Sequence, residues 1–199
     1  NMGIHEFYNK TTRFDGCTLN TEMAKELYSM VISKVDPCET LVEAYCGIGL
    51  MSLLASKKAQ HVIGIESIPE AIENAKVIAE ENHIENVEYL LDDAAEGLQK
   101  VLQKTNVNTL LVDPPRSGMD DAMLETILSS SIEKIIYVSC NPATLARNLK
   151  VLKKNYQVLT VIPYDLFPNT PHIESITVLS RNGVKSGKKA KKYEVPVTE

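Results

Sequence analysis

No run of apolar residues in this chain approaches 18, so nothing in it reads as a membrane-spanning helix. The opening NMGIHEFYNK lacks the basic-then-apolar profile of a secretory signal, and Asn1 before Met2 resembles a tag remnant. Cysteine is scarce: Cys17, Cys38, Cys46 and Cys140 show no CxxC spacing and no histidines at zinc-ligand intervals. That pattern argues against a disulfide framework, a structural metal or an iron–sulfur cluster. Internal repeats are absent as well. Positive charge is short overall, with 21 Lys and Arg against 26 Asp and Glu for a net charge of −5. It is also unevenly spread. Residues 181–199 hold six cations and two carboxylates, a net +4 that leaves −9 on the remainder. A basic end on an acidic body fits either an arm for RNA phosphates or a solvated, disordered tail.

What is present is ordinary globular material: 199 residues, 44% hydrophobic and 24% charged. This is enough for a real core in one large domain or two small ones, and the expected location is the cytoplasm. The chain alternates strand and helix signals almost from end to end. Residues 20–34 place Met23, Leu27, Met30, Val31 and Val35 on one helical face, with Asn20 or Thr21 as cap. Strands are predicted over 40–46, 61–66, 86–91, 109–113, 134–140, 156–165 and 172–181. Helices are predicted over 50–58, 69–82, 94–104, 119–130 and 143–153, the second opening on Pro69. Continuous apolar strands separated by helices indicate an α/β, doubly wound, Rossmann-like sheet. The last two strands are joined by LFPNTP without a helix, so the final strand is expected to run antiparallel. The reading gives a lead-in over 1–19, one domain over 20–181 and a basic, disordered tail over 182–199.

In such a sheet, ligands sit at the carboxyl ends of the strands. The first strand ends in Glu43-Ala44-Tyr45-Cys46-Gly47-Ile48-Gly49, where Gly47 and Gly49 permit close approach to a ligand. Glu66, seventeen residues past Gly49, suits ribose hydroxyls. Asp93 after the third strand suits either an adenine amino group or a helix N-cap. Acids after successive strands, without a lysine-bearing phosphate loop, suit a cofactor without phosphates, such as S-adenosylmethionine. Its sulfonium would be favoured by Glu43 or Asp113.

Two sharper motifs follow the next strands. Asp113-Pro114-Pro115-Arg116-Ser117-Gly118 is a rigid turn that fixes its aspartate. Ser139-Cys140-Asn141-Pro142 puts Cys140 at the ligand edge just before a helix N-terminus, which predicts a stabilised thiolate nucleophile; the alternative is a small buried hydrophobe. Glu174, opening the last strand, reads as a general base or as a surface acid.

EAYCGIG, DPPRSG, SCNPATLARN and PNTPHIES together resemble the catalytic domain of the RNA uridine-5-methyltransferases, which form 5-methyluridine in transfer and ribosomal RNA, over residues 20–180. The resemblance implies that Cys140 adds to uracil carbon 6, that carbon 5 is then methylated, and that Glu174 removes the carbon 5 proton. It implies Tyr45 and Glu66 at the cofactor, Asp113 between cofactor and base, and Arg116 with Asn141 at the substrate. Thr18 stands where the family has a cofactor-contacting glutamine, Leu50 where it often has asparagine, and Glu43 where it has aspartate. The family's N-terminal RNA-binding barrel and central RNA-contacting segment are expected to have no counterpart within these 199 residues. The partner implied is an RNA whose uridine is flipped from its stack. Two other readings stay open: a methyltransferase acting on an amino nitrogen, and a cofactor- or RNA-binding module without turnover.

Overall fold

The computed structural model describes residues 21–164 and 173–183. Thr18, the Asn20 cap, the lead-in and residues 184–199 of the basic tail lie outside them. The elements in chain order are α1 (Thr21–Ser33), β1 (Cys38–Ala44), α2 (Leu50–Ala55), β2 (Ala59–Glu66), α3 (Pro69–Glu81), β3 (Val87–Leu91), α4 (Ala94–Leu102), β4 (Thr109–Val112), α5 (Asp121–Ser129), β5 (Lys134–Ser139), α6 (Pro142–Leu152), β6 (Tyr156–Tyr164) and β7 (Glu174–Arg181). They form one seven-stranded sheet in the order β3-β2-β1-β4-β5-β7-β6. The pairs from β3 across to β5 are parallel, while β7 runs antiparallel to both β5 and β6. The expected antiparallel last strand is therefore present, inserted between β5 and β6.

Alternation along each strand divides the core between two faces. On one, Val42, Ile63, Leu110, Ile135 and Tyr137 pack against Leu98 of α4, Met123 and Ile127 of α5, and Leu145 and Leu152 of α6. On the other, Leu41, Val62, Leu111, Ile136, Val138 and Ile176 pack against Leu27 and Val31 of α1 and Met51 of α2. Residues such as Leu41, Leu110, Leu111 and Ile135 are wholly inaccessible, as expected of parallel strands covered on both sides.

Element boundaries moved by a few residues, for identifiable reasons. The first strand stops at Ala44 rather than Cys46 because Tyr45 takes a left-handed backbone, φ 63°. The second helix stops at Ala55 rather than Lys58, since the chain must reverse into β2, and the Lys58 carbonyl accepts from Cys38 N–H (3.1 Å).

Candidate active site

Strand register gathers the chemistry-bearing residues along one sheet edge. Ala44 pairs with Ile65 and Val112, and Glu66 pairs with Leu91, so Tyr45, Glu66 and Asp113 lie at or just past neighbouring strand ends. Ser139 pairs with Ser175 across the antiparallel β5–β7 ladder, and the Ser175 hydroxyl donates to the Ser139 carbonyl (3.3 Å). Cys140, one residue beyond, is thereby set beside Glu174, one residue before. Glu43, Asp113, Cys140 and Glu174 continue the alternation of Leu41, Leu111, Val138 and Ile176, the residues facing α1 and α2.

Close grouping of acids shifts their proton affinities. Burial and the neighbouring Glu174 push Asp113 up to about 7. Burial also raises the Glu174 carboxyl, with Arg116 opposing the shift. The Cys140 thiol is raised by burial, then by Glu174; the Arg116 side chain hydrogen-bonds to its sulfur and works the other way. The expected thiolate stabilisation by the α6 terminus is not what the structure displays. Asn141 Oδ1 accepts from Ala143 N–H (3.0 Å) and Thr144 N–H (3.5 Å), so the terminal amides are taken by a side-chain cap and Arg116 supplies the favourable charge.

On the other half of the edge, Gly47 and Gly49 both take left-handed backbones, φ 53° and 75°. A Cβ at Gly47 would meet open space, whereas one at Gly49 would collide with the Tyr89 hydroxyl from β3. Glu66 secures this turn: Oε2 accepts from Gly47 N–H (3.0 Å), and Oε1 accepts from Ser67 N–H (2.8 Å) and Ile68 N–H (3.1 Å). Asp93 is the N-cap of α4, and Ala95 N–H and Glu96 N–H both bond to Oδ1, leaving Oδ2 for another donor. Glu43 is 1% exposed; one oxygen accepts from Ser52 Oγ and the other, Oε1, has no hydrogen-bond partner among the described residues. Burial pushes its carboxyl up to about 8. Tyr45 is half-buried, and burial raises its hydroxyl.

The sequence reading missed several residues. Ile68 and Leu91, 54% and 49% exposed, are apolar side chains left open after β2 and at the end of β3. Their signal was position alone, directly beside Glu66 and before Asp93. Thr144, Arg147 and Asn148 of α6 all bond to the backbone of the 116–119 turn, and their signal was a spacing of one and two helical turns from Asn141. Asn141 itself belongs to that set, since its Nδ2 donates to the Arg116 carbonyl (3.2 Å). Among the described residues, no group of three or more His, Cys, Asp and Glu is placed to hold a metal ion, and no helix is long and apolar enough to cross a membrane.

Comparison with known proteins bears on this arrangement. The chain is 44% identical over 167 residues to an uncharacterized RNA methyltransferase of Bacillus cereus, covering 82% of this chain and 36% of that protein. A second uncharacterized RNA methyltransferase, from Halalkalibacterium halodurans, is 44% identical over 169 residues, again covering 36% of the relative. This chain thus spans about a third of these relatives' length. The crystal structure of Pyrococcus abyssi tRNA (uracil-54, C5)-methyltransferase in complex with S-adenosyl-L-homocysteine superposes with a TM-score of 0.68 at 30% identity, over 80% of this chain and 38% of that one. M. capricolum TrmK in complex with S-adenosyl-homocysteine shares the fold, with a TM-score of 0.63 at 13% identity over 78% of this chain and 68% of that one. The model of the tRNA (uracil-5-)-methyltransferase family matches residues 7–182, a span containing both the glycine turn and the Cys140–Glu174 pair, and this chain belongs to that family.

Proposed function

We propose that this chain is the catalytic domain of an S-adenosylmethionine-dependent RNA methyltransferase that methylates carbon 5 of a uridine in transfer or ribosomal RNA. The observation that carries the reading is the adjacency of Cys140 and Glu174 across the β5–β7 ladder. The glycine turn fits the cofactor: it is open above Gly47, has the unpaired Glu43 oxygen buried behind it, and is flanked by exposed Ile68 and Leu91 as apolar surface for a nucleoside base. Tyr45, Gly47, Gly49, Glu66 and Asp93 would hold it, with Asp113 between it and the target ring. Thr18, outside the described residues, belongs to the same proposed set. Bound there, S-adenosylmethionine supplies an electrophilic methyl carbon.

The protein's own groups do the rest. Cys140 gives its proton to solvent and its sulfur bonds to uracil carbon 6, which moves the ring electrons to carbon 5 and makes that carbon a nucleophile. Arg116 offsets the charge that the thiolate would otherwise bear beside Glu174 and Asp113. After carbon 5 has been methylated, Glu174 takes its proton. The electron pair re-forms the double bond and expels the Cys140 sulfur. A carboxyl raised by burial is a stronger base than an exposed one, which suits Glu174 to that step.

The test is a covalent trap with S-adenosylmethionine and RNA containing 5-fluorouridine. Fluorine cannot leave as a proton, so the expected result is a denaturation-resistant adduct that maps to Cys140 by mass spectrometry and is absent from Cys140→Ala. Methyl transfer by the Cys140→Ala protein would overturn the mechanism and point to an amino-nitrogen target. Cofactor binding with no adduct on any uridine-containing RNA would point to a module without turnover.

A further inference from the structure

Helix α6 makes an unusual set of contacts with the turn that carries Arg116. Four side chains at helical spacing reach its backbone. Asn141 Nδ2 donates to the Arg116 carbonyl (3.2 Å), and Thr144 Oγ1 shares its one proton between that carbonyl (3.3 Å) and the Asn141 carbonyl (3.1 Å). Arg147 Nη2 donates to the Ser117 carbonyl (2.5 Å). Asn148, wholly buried, accepts from Met119 N–H and donates back to the Met119 carbonyl, both at 3.0 Å. Gly118, with φ 77°, lies so close that an added Cβ would stand 2.7 Å from Asn148 Oδ1 and 3.1 Å from Thr144 Cβ. Every bond is made to main chain, so the ladder sets where the turn sits while leaving the Arg116 side chain to reach the sulfur of Cys140.

We propose that Thr144 and Arg147 are positioning residues: they seat the 116–119 turn so that the Arg116 guanidinium is held on Cys140 and near Glu174. The inference rests on the reading of Cys140 as the nucleophile, and it extends that reading to residues whose side chains bond to the main chain of the 116–119 turn. Among the described residues, the charged groups that act on Cys140 are Arg116 and Asp113 from the β4–α5 segment and Glu174 from β7, and Cys140 in turn acts on the Tyr137 hydroxyl of β5. Arg116 is the cation in that set. Displacing it leaves the sulfur among acids, where a thiolate forms less readily.

The test uses the 199-residue chain and needs no RNA. Iodoacetamide alkylation is followed against pH, site by site, by peptide mass spectrometry. Cys38, at the opposite end of the sheet, serves as the internal control. Alkylation reads the thiolate fraction, so the Thr144→Val/Arg147→Ala protein is expected to label Cys140 about three- to tenfold more slowly at pH 7.5. Its Cys38 rate and melting temperature should stay those of the parent, because Arg147 is exposed and valine is nearly isosteric with threonine. Arg116→Ala should reproduce the slow profile, and Arg147→Lys, which keeps a donor for the Ser117 carbonyl, should return most of the rate. A Cys140 profile that coincides with the parent in either the double variant or Arg116→Ala overturns the proposal. The covalent trap fails or succeeds independently. A shifted alkylation profile with no RNA adduct would retain the positioning ladder and remove the methyl-transfer reading, and the reverse pair of results would do the opposite.

Discussion

The two halves of the proposed chemistry separate at single residues. If Glu174 acts only after methylation, Glu174→Gln should still build the Cys140 adduct on ordinary uridine-containing RNA and then fail to release it. The expected outcome is a methylated covalent complex visible on denaturing gels, with turnover lowered about 10²–10⁴-fold, the usual range for a lost general base. Normal turnover in that variant would remove Glu174 from the reaction. Asp93 needs a different design because it has two jobs to separate. Serine preserves an N-cap, so Asp93→Ser should keep the melting temperature but weaken S-adenosylhomocysteine binding by calorimetry, whereas Asp93→Ala should also lose about 1 kcal/mol of stability. Unchanged affinity in Asp93→Ser would leave Asp93 a cap alone. That Cys140, Glu174, Asp113 and the glycines would gather at strand ends was legible in the sequence because each sits beside a turn signal, and strand ends are where such a sheet takes ligands. The role of Asn141 was not. An asparagine before a proline looks the same in sequence whether it faces a substrate or, as here, caps a helix and bonds to a neighbouring turn.

At the scale of elements, α6 shows why helix identity is easier to read than helix contacts. Its extent was legible from Pro142 and the apolar spacing of Leu145, Leu149 and Leu152, to within one residue at either end. That its polar face would meet another loop was invisible, because an Asn on a helix is ordinarily solvated and nothing local marks it as buried. Asn148 tests how far the fold depends on that contact. Removing its amide leaves Met119 N–H, the Met119 carbonyl and the Tyr137 hydroxyl (2.8 Å from Oδ1) without their partner in a dry interior. At about 1–3 kcal/mol for each stranded buried group, Asn148→Ala should cost at least about 3 kcal/mol by urea denaturation. Tyr137→Phe, which removes one hydroxyl of the same set, should cost only about 1 kcal/mol. Similar small losses for both would mean that the turn is held by its prolines rather than by α6. The β5–β7 adjacency belongs to this scale as well. The sequence indicated an antiparallel last strand, but which strands it would lie between depends on a pairing with no local marker, and that pairing is what brings Glu174 to Cys140.

Across the whole molecule, the parallel sheet sends successive strand ends to one edge, and the acids that follow them collect there. Burial raises the proton affinity of two of them, Glu43 to about 8 and Asp113 to about 7. The consequence for stability has a definite sign. A group whose proton affinity is higher in the folded chain than in the unfolded one contributes fully below its unfolded value, and that contribution is lost as pH rises through its folded value. For Glu43 the window runs from its ordinary 4.5 up to about 8, and for Asp113 from 3.8 up to about 7. The melting temperature should therefore fall between pH 5 and pH 8, against the usual pattern in which ion-paired carboxylates stabilise a protein as they ionise. Glu43→Gln isolates the larger contributor. Glutamine keeps an oxygen to accept from Ser52 Oγ and cannot ionise, so its melting curve against pH should be flatter than the parent's and should lie above it at pH 8. Parallel curves for the two proteins would show that Glu43 ionises in the folded state as easily as in the unfolded one, and that its unpaired oxygen meets water. A flattened curve would mean instead that the sheet keeps a neutral acid behind the glycine turn at physiological pH, one that ionises only when a cation arrives to stabilise the charge. Binding a cationic cofactor would then release a proton, measurable as a buffer-dependent heat in calorimetry at pH 7.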